Sequence, residues 1–342
     1  MARRASVALK VAAGVGAFFA GRALYRWWHQ YDLRDKVVLI TGGSRGLGLV
    51  LARALVREGA RLAICARDRA ELARARDDLA GRGAHVLTVP CDVTDREQVD
   101  RMVQTVRDYF GRIDVLINNA GVIEVGPVEV MTQEDYEEAM RTHFWAPLYT
   151  MLAVIPEMKT RGAGRIVNIS SIGGKISVPH LVPYCASKFA LTGLSAGLRA
   201  ELAKDGVVVT TVCPGLMRTG SPPNAYFKGQ HRAEYAWFSI SDSLPLLTLS
   251  AERAARQIIR ACKWGDAEVV LSVPAKLAVL FHGIFPGVTA DLLGLVNRLL
   301  PGPGGIGTER AKGVESYSSM SPSWLTELTE RAARRNNELP PS

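Results

Sequence analysis

Two side chains four positions apart, Tyr184 and Lys188, have the types and spacing needed for proton transfer. They fall in a segment with helical periodicity, so both side chains should lie on one face of a helix. The phenol of a free tyrosine has a pKa of about 10, which is too high for a general acid or base at neutral pH. A neighbouring ammonium group stabilises the phenolate, so we expect Lys188 to lower the pKa of Tyr184 and make it a general acid or base.

Ser171 lies thirteen residues before Tyr184, directly after an apolar run typical of a buried strand. A hydroxyl group at this place could donate a hydrogen bond to the substrate oxygen that Tyr184 protonates, and so stabilise the charge that develops there. A tyrosine and a lysine at this spacing by themselves usually mark a helix surface. Together with Ser171 and the glycine-rich loop Thr41–Gly48, they predict reduction of a ketone or aldehyde, or oxidation of an alcohol in the reverse direction.

A second group with chemical meaning is the glycine-rich loop Thr41-Gly42-Gly43-Ser44-Arg45-Gly46-Leu47-Gly48. Glycine has no Cβ, so the backbone there can turn tightly and approach a pyrophosphate closely. The helix that begins in the loop adds unpaired N–H groups and the positive end of its dipole. Because it stands between a predicted strand and a predicted helix, this loop predicts a dinucleotide-binding site.

Short apolar runs that alternate with helical segments predict the scaffold for these groups. Each apolar run is nearly continuous, which is typical of strands covered on both faces. The predicted strands are Val37–Thr41, Arg61–Ala66, His85–Val89, Val115–Asn118, Arg165–Ser170, Val207–Cys213 and Ala267–Leu271. The predicted helices are Leu47–Glu58, Ala70–Ala80, Arg96–Phe110, Gln133–Lys159, Tyr184–Lys204 and Glu252–Trp264. This alternation predicts an α/β fold, a doubly wound parallel sheet of seven strands in a single domain.

Four motifs in this order resemble those of the short-chain dehydrogenase/reductase superfamily, in its single-domain branch. They are the glycine-rich loop, Asn118-Asn119-Ala120-Gly121, Tyr184 with Lys188, and Pro214-Gly215, and the likeness extends from about residue 36 to residue 271. The resemblance implies a Rossmann-type fold, a homo-oligomer and a nicotinamide cofactor whose ribose binds Lys188. The further cofactor contacts that it implies are Asp92 and Val93 at the adenine, Asn119, Ala120 and Gly121 on the adenosine side, and Pro214, Gly215 and Thr219 at the nicotinamide amide.

The end of the second predicted strand bears on which nicotinamide cofactor is used. Enzymes that use NAD place a carboxylate there to bind the ribose hydroxyls, whereas this chain has Ala66 followed by Arg67. An arginine can bind a 2′-phosphate with two hydrogen bonds. Arg45 in the glycine-rich loop is placed to be a second ligand of the same phosphate. Asp68 stands one position too late to be the ribose acid. We therefore predict NADP(H), with solvated surface arginines as the alternative.

His143 departs from the family pattern. The resemblance implies an asparagine at this point of the helix after the fourth strand, where it holds a water in a proton relay, but the stretch here is Arg141-Thr142-His143-Phe144-Trp145. An imidazole can donate and accept hydrogen bonds, so His143 could take over the relay or occupy the place of the water. The alternative is a histidine that only packs and makes one hydrogen bond.

Residues 1–35 form a basic and hydrophobic arm outside the family pattern. The segment from Val11 to Gly21 has no charge, and Trp27 and Trp28 follow among arginines. It is shorter than the ~20 residues of a spanning helix, and the features of a cleaved signal peptide are not clear. We predict a marginal signal anchor or an interfacial helix, so that residues 1–30 contact a membrane and the protein is otherwise cytoplasmic. A helix packed on its own domain or on a partner is the alternative.

The catalytic domain is predicted at residues 36–272 and contains a long segment, 215–248, that is rich in aromatic residues and proline. This segment could be a lid over an apolar ligand, or a peripheral helix pair whose aromatic side chains pack into the core. Residues 273–301 should form an apolar helical extension at the substrate mouth, at a subunit contact or on lipid. Residues 302–342 should form a flexible tail with one short helix, Trp324–Arg335.

Charge and composition exclude several classes of partner. The net charge of +9 is largely a property of the arm, and no basic run with interleaved aromatics marks the rest of the chain, so we predict no nucleic-acid site. The five cysteines contain no C-x-x-C pair, and the histidines lack the spacing of metal ligands. We therefore predict no metal site.

These observations together predict an NADP(H)-dependent oxidoreductase acting on a small carbonyl or alcohol substrate. The aromatic segment 215–248 and the arm favour a hydrophobic substrate, such as a keto-lipid, an oxoacyl compound or a sterol-like compound. The alternative is an NADP(H)-binding redox sensor with vestigial catalysis, which His143 favours and the intact Tyr184, Lys188 and Ser171 disfavour. A membrane-held scaffold that does not use the glycine-rich loop is the third hypothesis.

Overall fold

The computed structural model describes residues 30–245 and 247–339, together with Gly14, Gly16 and Gly21. Most of the hydrophobic arm lies outside the described residues, so membrane contact through residues 1–30 stays a prediction. In the described part of the chain, no helix combines the length and the apolar character that crossing a bilayer requires.

A seven-stranded parallel sheet forms the centre of the fold. Its strands are β1 Val37–Thr41, β2 Arg61–Ala66, β3 Val86–Pro90, β4 Val115–Asn118, β5 Gly164–Ile169, β6 Val207–Pro214 and β7 Glu268–Leu271. They lie in the order β3-β2-β1-β4-β5-β6-β7, and each neighbouring pair is parallel. The predicted doubly wound α/β fold is confirmed, and the predicted strand ends differ from the observed ones by at most one residue.

Eleven α-helices surround the sheet in the part of the chain that the structure describes. They are α1 Gly46–Arg57, α2 Arg69–Ala80, α3 Arg96–Phe110, α4 Gln133–Met140, α5 Ala146–Arg161, α6 Val182–Leu202, α7 His231–Ser241, α8 Ala251–Trp264, α9 Val273–Ile284, α10 Pro286–Asn297 and α11 Glu327–Arg335. Asp68 and Asp95 cap the starts of α2 and α3, since each carboxylate accepts a hydrogen bond from a backbone N–H three residues later.

Hydrophobic side chains cover both faces of the sheet, as the continuous apolar runs predict. All five residues of β1 are buried. Successive residues of a strand point to opposite faces. Accordingly, Val38 and Ile40 belong to one buried cluster, which also contains Leu51 of α1. Val37 and Leu39 belong to the cluster on the other face. The two clusters hold the strand ends in place, and the strand ends carry the candidate site.

The predicted helix Gln133–Lys159 is in fact interrupted. A π-helical turn, Arg141–Trp145, joins α4 to α5, and the N–H of Ala146 bonds to the carbonyl of Arg141 five residues earlier. Pro147 near the start of α5 has no N–H, so the carbonyl four residues before it cannot receive the usual helical hydrogen bond. The wider turn is tolerated there, and it carries the buried side chain of His143.

The aromatic segment 215–248 forms a small core of its own. It contains α7 and the short strand Tyr226–Phe227, which pairs with Glu124–Val125 and with Ala311–Lys312. Phe227 is fully buried, with its ring centre 5.3 Å from that of Tyr235 in α7. Of the two interpretations of this segment, the packing corresponds to a peripheral unit whose aromatic side chains fill a core.

Helices α9 and α10 make up the apolar extension predicted at residues 273–301. Leu277, Leu280 and Leu292 are each more than half exposed. Very few side chains of the two helices are buried. The extension therefore presents an apolar face outside the central core.

The tail predicted as flexible is packed against the catalytic domain as far as residue 339. Its short helix α11 begins three residues later than predicted, at Glu327, and Ala332 and Ala333 are buried on one face of it. The residues after α11 then contact the glycine-rich loop through Asn336 and Asn337. The tail is thus part of the ordered structure around the candidate site.

Candidate active site

The residues predicted to carry the chemistry meet at the carboxyl ends of the central strands. The glycine-rich loop follows β1, Ser171 lies just beyond β5, and Tyr184 and Lys188 lie on α6. The winding of the sheet reverses between β1 and β4. In doubly wound folds, ligands bind in the crevice outside the strand ends at this reversal.

The glycine-rich loop has the shape of a cradle for a pyrophosphate. Gly42 has a φ of +63°, and a Cβ on Gly48 would collide with the carbonyl oxygen of Gly42. The side chain of Asn119 fixes the loop, because its Nδ2 donates to the carbonyls of Thr41 (3.1 Å) and Gly42 (3.0 Å). Helix α1 begins at Gly46, so its first backbone N–H groups belong to the loop.

The phenol of Tyr184 interacts with the hydroxyl of Ser171. Ser171 is itself fixed, since its Oγ accepts a hydrogen bond of 3.0 Å from the N–H of Gly173. Burial raises the pKa of Tyr184 above its ordinary value, and the hydrogen bond with Ser171 opposes this rise. Tyr184 is therefore a protonated phenol at neutral pH, able to give its proton to an oxygen bound beside it.

Lys188 lies one helical turn after Tyr184, with its Nζ 5.6 Å from the centre of the tyrosine ring. The side chain is buried, and the Nζ donates a hydrogen bond of 2.9 Å to the carbonyl of Ile169. Burial lowers the pKa of Lys188 to about 7. The expected lowering of the tyrosine pKa is not seen in this geometry, because burial of the phenol raises its pKa more than the hydrogen bond with Ser171 lowers it.

His143 is held by hydrogen bonds at both ring nitrogens. Its Nε2 accepts from the N–H of Val122 (3.1 Å), and its Nδ1 lies 2.8 Å from the Oγ of Ser187. The Ser187 hydroxyl donates to the carbonyl of Tyr184, so Nδ1 of His143 must be the donor to Ser187. Burial lowers the pKa of His143 well below its usual range, which keeps the ring neutral. His143 thus ties the backbone after β4 to the helix that carries Tyr184.

The two arginines proposed for cofactor choice lie at the glycine-rich loop and just beyond β2. Arg67 is exposed. Arg45 instead bonds to two carboxylates, with Nη1 2.8 Å from Glu71 and Nε 3.3 Å from Glu338. Glu71 also accepts a hydrogen bond from the hydroxyl of Ser44. No motif in the sequence indicated either acidic partner.

The remaining predicted contacts lie along the same edge of the sheet. Asp92 and Val93 follow β3, and one carboxylate oxygen of Asp92 accepts from the backbone N–H and the hydroxyl of Thr94. Pro214 ends β6 and is followed directly by Gly215. Thr219 is buried four residues further on. Ala120 and Gly121 follow Asn119 after β4.

A recess opens beside Tyr184, and its lining is partly ionic. The lining residues are Val122, Glu124, Asp135, Glu138, Ala139, Pro183, Tyr184, Tyr226 and Arg310. Next to the recess, the buried Lys228 places its Nζ 2.6 Å from Asp135 and 3.6 Å from Glu124. Burial, together with the charge of Asp135, raises the pKa of Glu124 to about 7. The sequence pattern did not single out these ionic residues, because they come from segments far apart in the chain.

Comparisons with known proteins agree with this geometry. A model of the short chain dehydrogenase family matches residues 36–225. A dehydrogenase/reductase SDR family protein 7-like of Anopheles gambiae is 39% identical over 263 residues, which cover 75% of this chain and 81% of the relative. The chain belongs to the short-chain dehydrogenase family. Members of this family are oxidoreductases that act on CH–OH and C=O groups with a nicotinamide cofactor.

Other short-chain dehydrogenases extend the likeness. A ketoacyl reductase from Nostoc sp. is 38% identical over 183 residues, which cover 54% of this chain and 64% of the relative. A short-chain dehydrogenase from Streptomyces avermitilis superposes with a TM-score of 0.64 at 33% identity, covering 78% of this chain and 98% of its own. The structural likeness thus extends over nearly all of that enzyme and over most of this chain.

The cradle of this short-chain dehydrogenase fits the nicotinamide cofactor of the family. The glycines leave room for a close backbone approach, and the start of α1 supplies N–H groups for a pyrophosphate. Lys188 and Tyr184, both on α6, lie beside the ends of the neighbouring strands. Among the described residues, no group of three or more histidine, cysteine, aspartate or glutamate side chains is placed to hold a metal ion.

Proposed function

We propose that this short-chain dehydrogenase reduces a ketone, or oxidises the corresponding secondary alcohol, with NADP(H). The observation that carries the proposal is the convergence of Tyr184, Ser171 and Lys188 beside the glycine-rich cradle. A protein that only bound a nucleotide would have no chemical need for these three groups, so their arrangement supports catalysis over redox sensing.

The proposed chemistry gives each side chain one task. Ser171 donates a hydrogen bond from its hydroxyl group to the carbonyl oxygen of the substrate, and Tyr184 transfers its phenolic proton to that oxygen. The hydride for the carbonyl carbon would come from the reduced nicotinamide held in the cradle. Lys188 stabilises the phenolate left on Tyr184, because a cation one helical turn away favours the ionised form.

The buried position of Lys188 suits an anionic cofactor. At pH 7 its pKa of about 7 leaves the lysine only half charged. A dinucleotide brings negative charge to the strand ends, and nearby opposite charge raises the pKa of a lysine. Under this proposal, Lys188 becomes fully charged when the dinucleotide is bound, and it can then stabilise the phenolate of Tyr184.

The residues near β2 support NADP(H) over NAD(H). Ala66 stands where an NAD enzyme would need a ribose-binding carboxylate, and the exposed Arg67 follows it. Arg45 is already paired with Glu71 at 2.8 Å, so a 2′-phosphate would compete with this carboxylate for it. We therefore expect Arg67 to be the main ligand of the phosphate.

The substrate proposal combines the recess with the relatives. The Nostoc relative is named a ketoacyl reductase, which supports an oxoacyl or similar hydrophobic ketone. The apolar wall of the recess, Val122, Ala139 and Pro183, suits the hydrocarbon part of such a compound. The carboxylates of Glu124 and Glu138 favour a substrate that also carries a hydroxyl or another hydrogen-bond donor.

Two measurements test the proposed function. The fluorescence of NADPH should rise when it binds the protein, and NADH should bind much more weakly in the same titration. Equal binding of NADPH and NADH would contradict the cofactor choice. Tyr184→Phe should abolish turnover of a panel of long-chain, steroid and small polar ketones and keep NADPH binding, whereas Tyr136→Phe should retain turnover. Unchanged turnover in Tyr184→Phe would place the chemistry elsewhere, and NADPH binding without turnover of any ketone would favour the redox sensor.

A further inference from the structure

The residues after α11 occupy backbone groups of the glycine-rich loop. The carbonyl of Asn336 accepts a hydrogen bond of 2.9 Å from the N–H of Gly46, the first residue of α1. The side chain of Asn337 donates to the carbonyl of Ser44 at 2.8 Å. The N–H of Gly46 lies at the start of α1, where an anion would bind. The tail therefore occupies a hydrogen-bond donor that a pyrophosphate would need.

The carboxyl group of Glu338 accompanies these contacts. Glu338 is 8% exposed, and its Oε1 lies so close to Gly46 that a Cβ on this glycine would collide with it. Its Oε2 is 3.3 Å from Nε of Arg45 and accepts a hydrogen bond of 2.7 Å from Nδ2 of Asn224. An acidic group thus lies at the helix start and beside an arginine, as a phosphate would.

The same segment also reaches the loop after β6. Nδ2 of Asn336 donates to the carbonyl of Thr219 at 3.0 Å. The backbone of Ala333 lies against Gly220, where a Cβ would collide with it. Residues 333–338 therefore bridge the two loops, after β1 and after β6, that stand on either side of the strand-end crevice.

Two arginines of the catalytic domain anchor this segment. Arg53 of α1 donates to the side chain of Asn336 (3.1 Å) and to the carbonyl of Arg335 (2.9 Å). Arg74 of α2 donates to the side chain of Asn337 at 2.6 Å. Backbone, amide and charged contacts combine here, so the segment is docked specifically rather than lying loosely on the surface.

We propose that residues 336–338 are an internal ligand of the cofactor cradle, which a dinucleotide must displace before it binds. The proposal rests on the proposed function in one respect, namely that the cradle holds a dinucleotide. The carbonyl oxygen of Asn336 and the carboxyl oxygens of Glu338 take the places of phosphate oxygens at Gly46 and Arg45. The tail therefore regulates the enzyme by competing with the anionic part of the cofactor.

Competition of this kind lowers the apparent affinity by the fraction of molecules whose cradle is open. The test compares the full chain with a chain that ends at Arg335, which keeps α11 and its buried residues Ala332 and Ala333. Arg331→Ala is the matched control, because Arg331 lies in the same helix and its side chain is 71% exposed. The dissociation constant of NADP+ is measured by titration calorimetry for all three proteins.

Removal of residues 336–342 should tighten NADP+ binding by on the order of tenfold, and Arg331→Ala should leave it unchanged. In hydrogen exchange without cofactor, the Gly46 amide should lose protection in the shortened chain, and in the full chain NADP+ should increase tryptic cleavage after Arg335. Equal or weaker NADP+ binding by the shortened chain would overturn the inference and leave the proposed function standing. Failure of both chains to bind any dinucleotide would overturn the proposed function itself, and the inference with it.

Discussion

Replacing Lys188 with methionine should stabilise the fold while it abolishes turnover. The side chain is only 4% exposed, and its Nζ donates to the carbonyl of Ile169 at 2.9 Å. Burial of the ammonium lowers the pKa of Lys188 from 10.5 to about 7. Methionine has a similar length and no charge, so the cost of burying a cation disappears in the variant.

The magnitude follows from the pKa. At about 1.4 kcal/mol per pKa unit, the charged lysine destabilises the native state by about 4–5 kcal/mol below pH 7. Loss of the hydrogen bond to Ile169 costs the variant about 1–2 kcal/mol. We therefore expect Lys188→Met to raise the free energy of unfolding at pH 6 by about 2–4 kcal/mol, or Tm by roughly 4–12 °C.

The pH dependence supplies a second readout. The unfolded chain keeps a proton on this lysine up to pH 10.5, whereas native Lys188 loses its proton above about pH 7. The unfolded state thus binds more protons in this window, so native stability rises with pH there. The rise amounts to about 2–3 kcal/mol between pH 6 and 9, and it should be missing in Lys188→Met.

Urea unfolding followed by circular dichroism at pH 6, 7.5 and 9 measures both effects. The exposed Lys204 of the same protein provides the control, because Lys204→Met removes a lysine without relieving burial. A Lys188→Met protein that is less stable than the wild type at pH 6 would refute the argument. An unchanged slope of stability against pH would refute it equally.

Three further predictions concern the cradle and its supports. Gly48→Ala should weaken NADP+ binding at least tenfold, because the new Cβ meets the carbonyl of Gly42, whereas Gly193→Ala faces open space and should have no effect; calorimetry decides. His143→Ala leaves the N–H of Val122 without its acceptor and should cost about 2–4 kcal/mol in urea unfolding, while an unchanged stability would contradict the bridging role. Burial raises the pKa of Glu338 to about 7, and the charged groups nearest to it are Arg45 and Glu71. Glu338 therefore holds a proton in the docked tail, whereas in the free tail it loses that proton above about pH 4.5. Docking should therefore weaken as pH rises from 5 to 7.5, and the advantage of the shortened chain in NADP+ affinity should shrink over that range; a constant ratio would contradict this.

The sequence was sufficient for the scaffold and for the main groups of the candidate site. Continuous apolar runs and helical periodicity are local properties, so they predicted all seven strands of the sheet within one residue. The glycine-rich loop and the pair Tyr184 and Lys188 were also predicted from the sequence, because their proposed roles depend on spacings of a few residues within one loop or one helical turn.

The electrostatics of the site depended on the tertiary structure. Lys188 was expected to be a fixed cation, but its charge depends on how deeply α6 and the strand ends bury it, which no local pattern reports. His143 was open to several interpretations until the π-helical turn placed its two nitrogens against Val122 and Ser187. The helix break arises at Pro147, although helical periodicity continues through it.

The contacts between distant segments were decided by the fold alone. Glu71, Glu338 and Lys228 belong to no motif, and each gains its meaning from a partner tens to hundreds of residues away. The tail has the composition of a flexible end, yet its Asn336 bonds to the helix start at Gly46. A sequence pattern records the order of residues along the chain, whereas burial and charge pairing depend on which segments the packed core brings together.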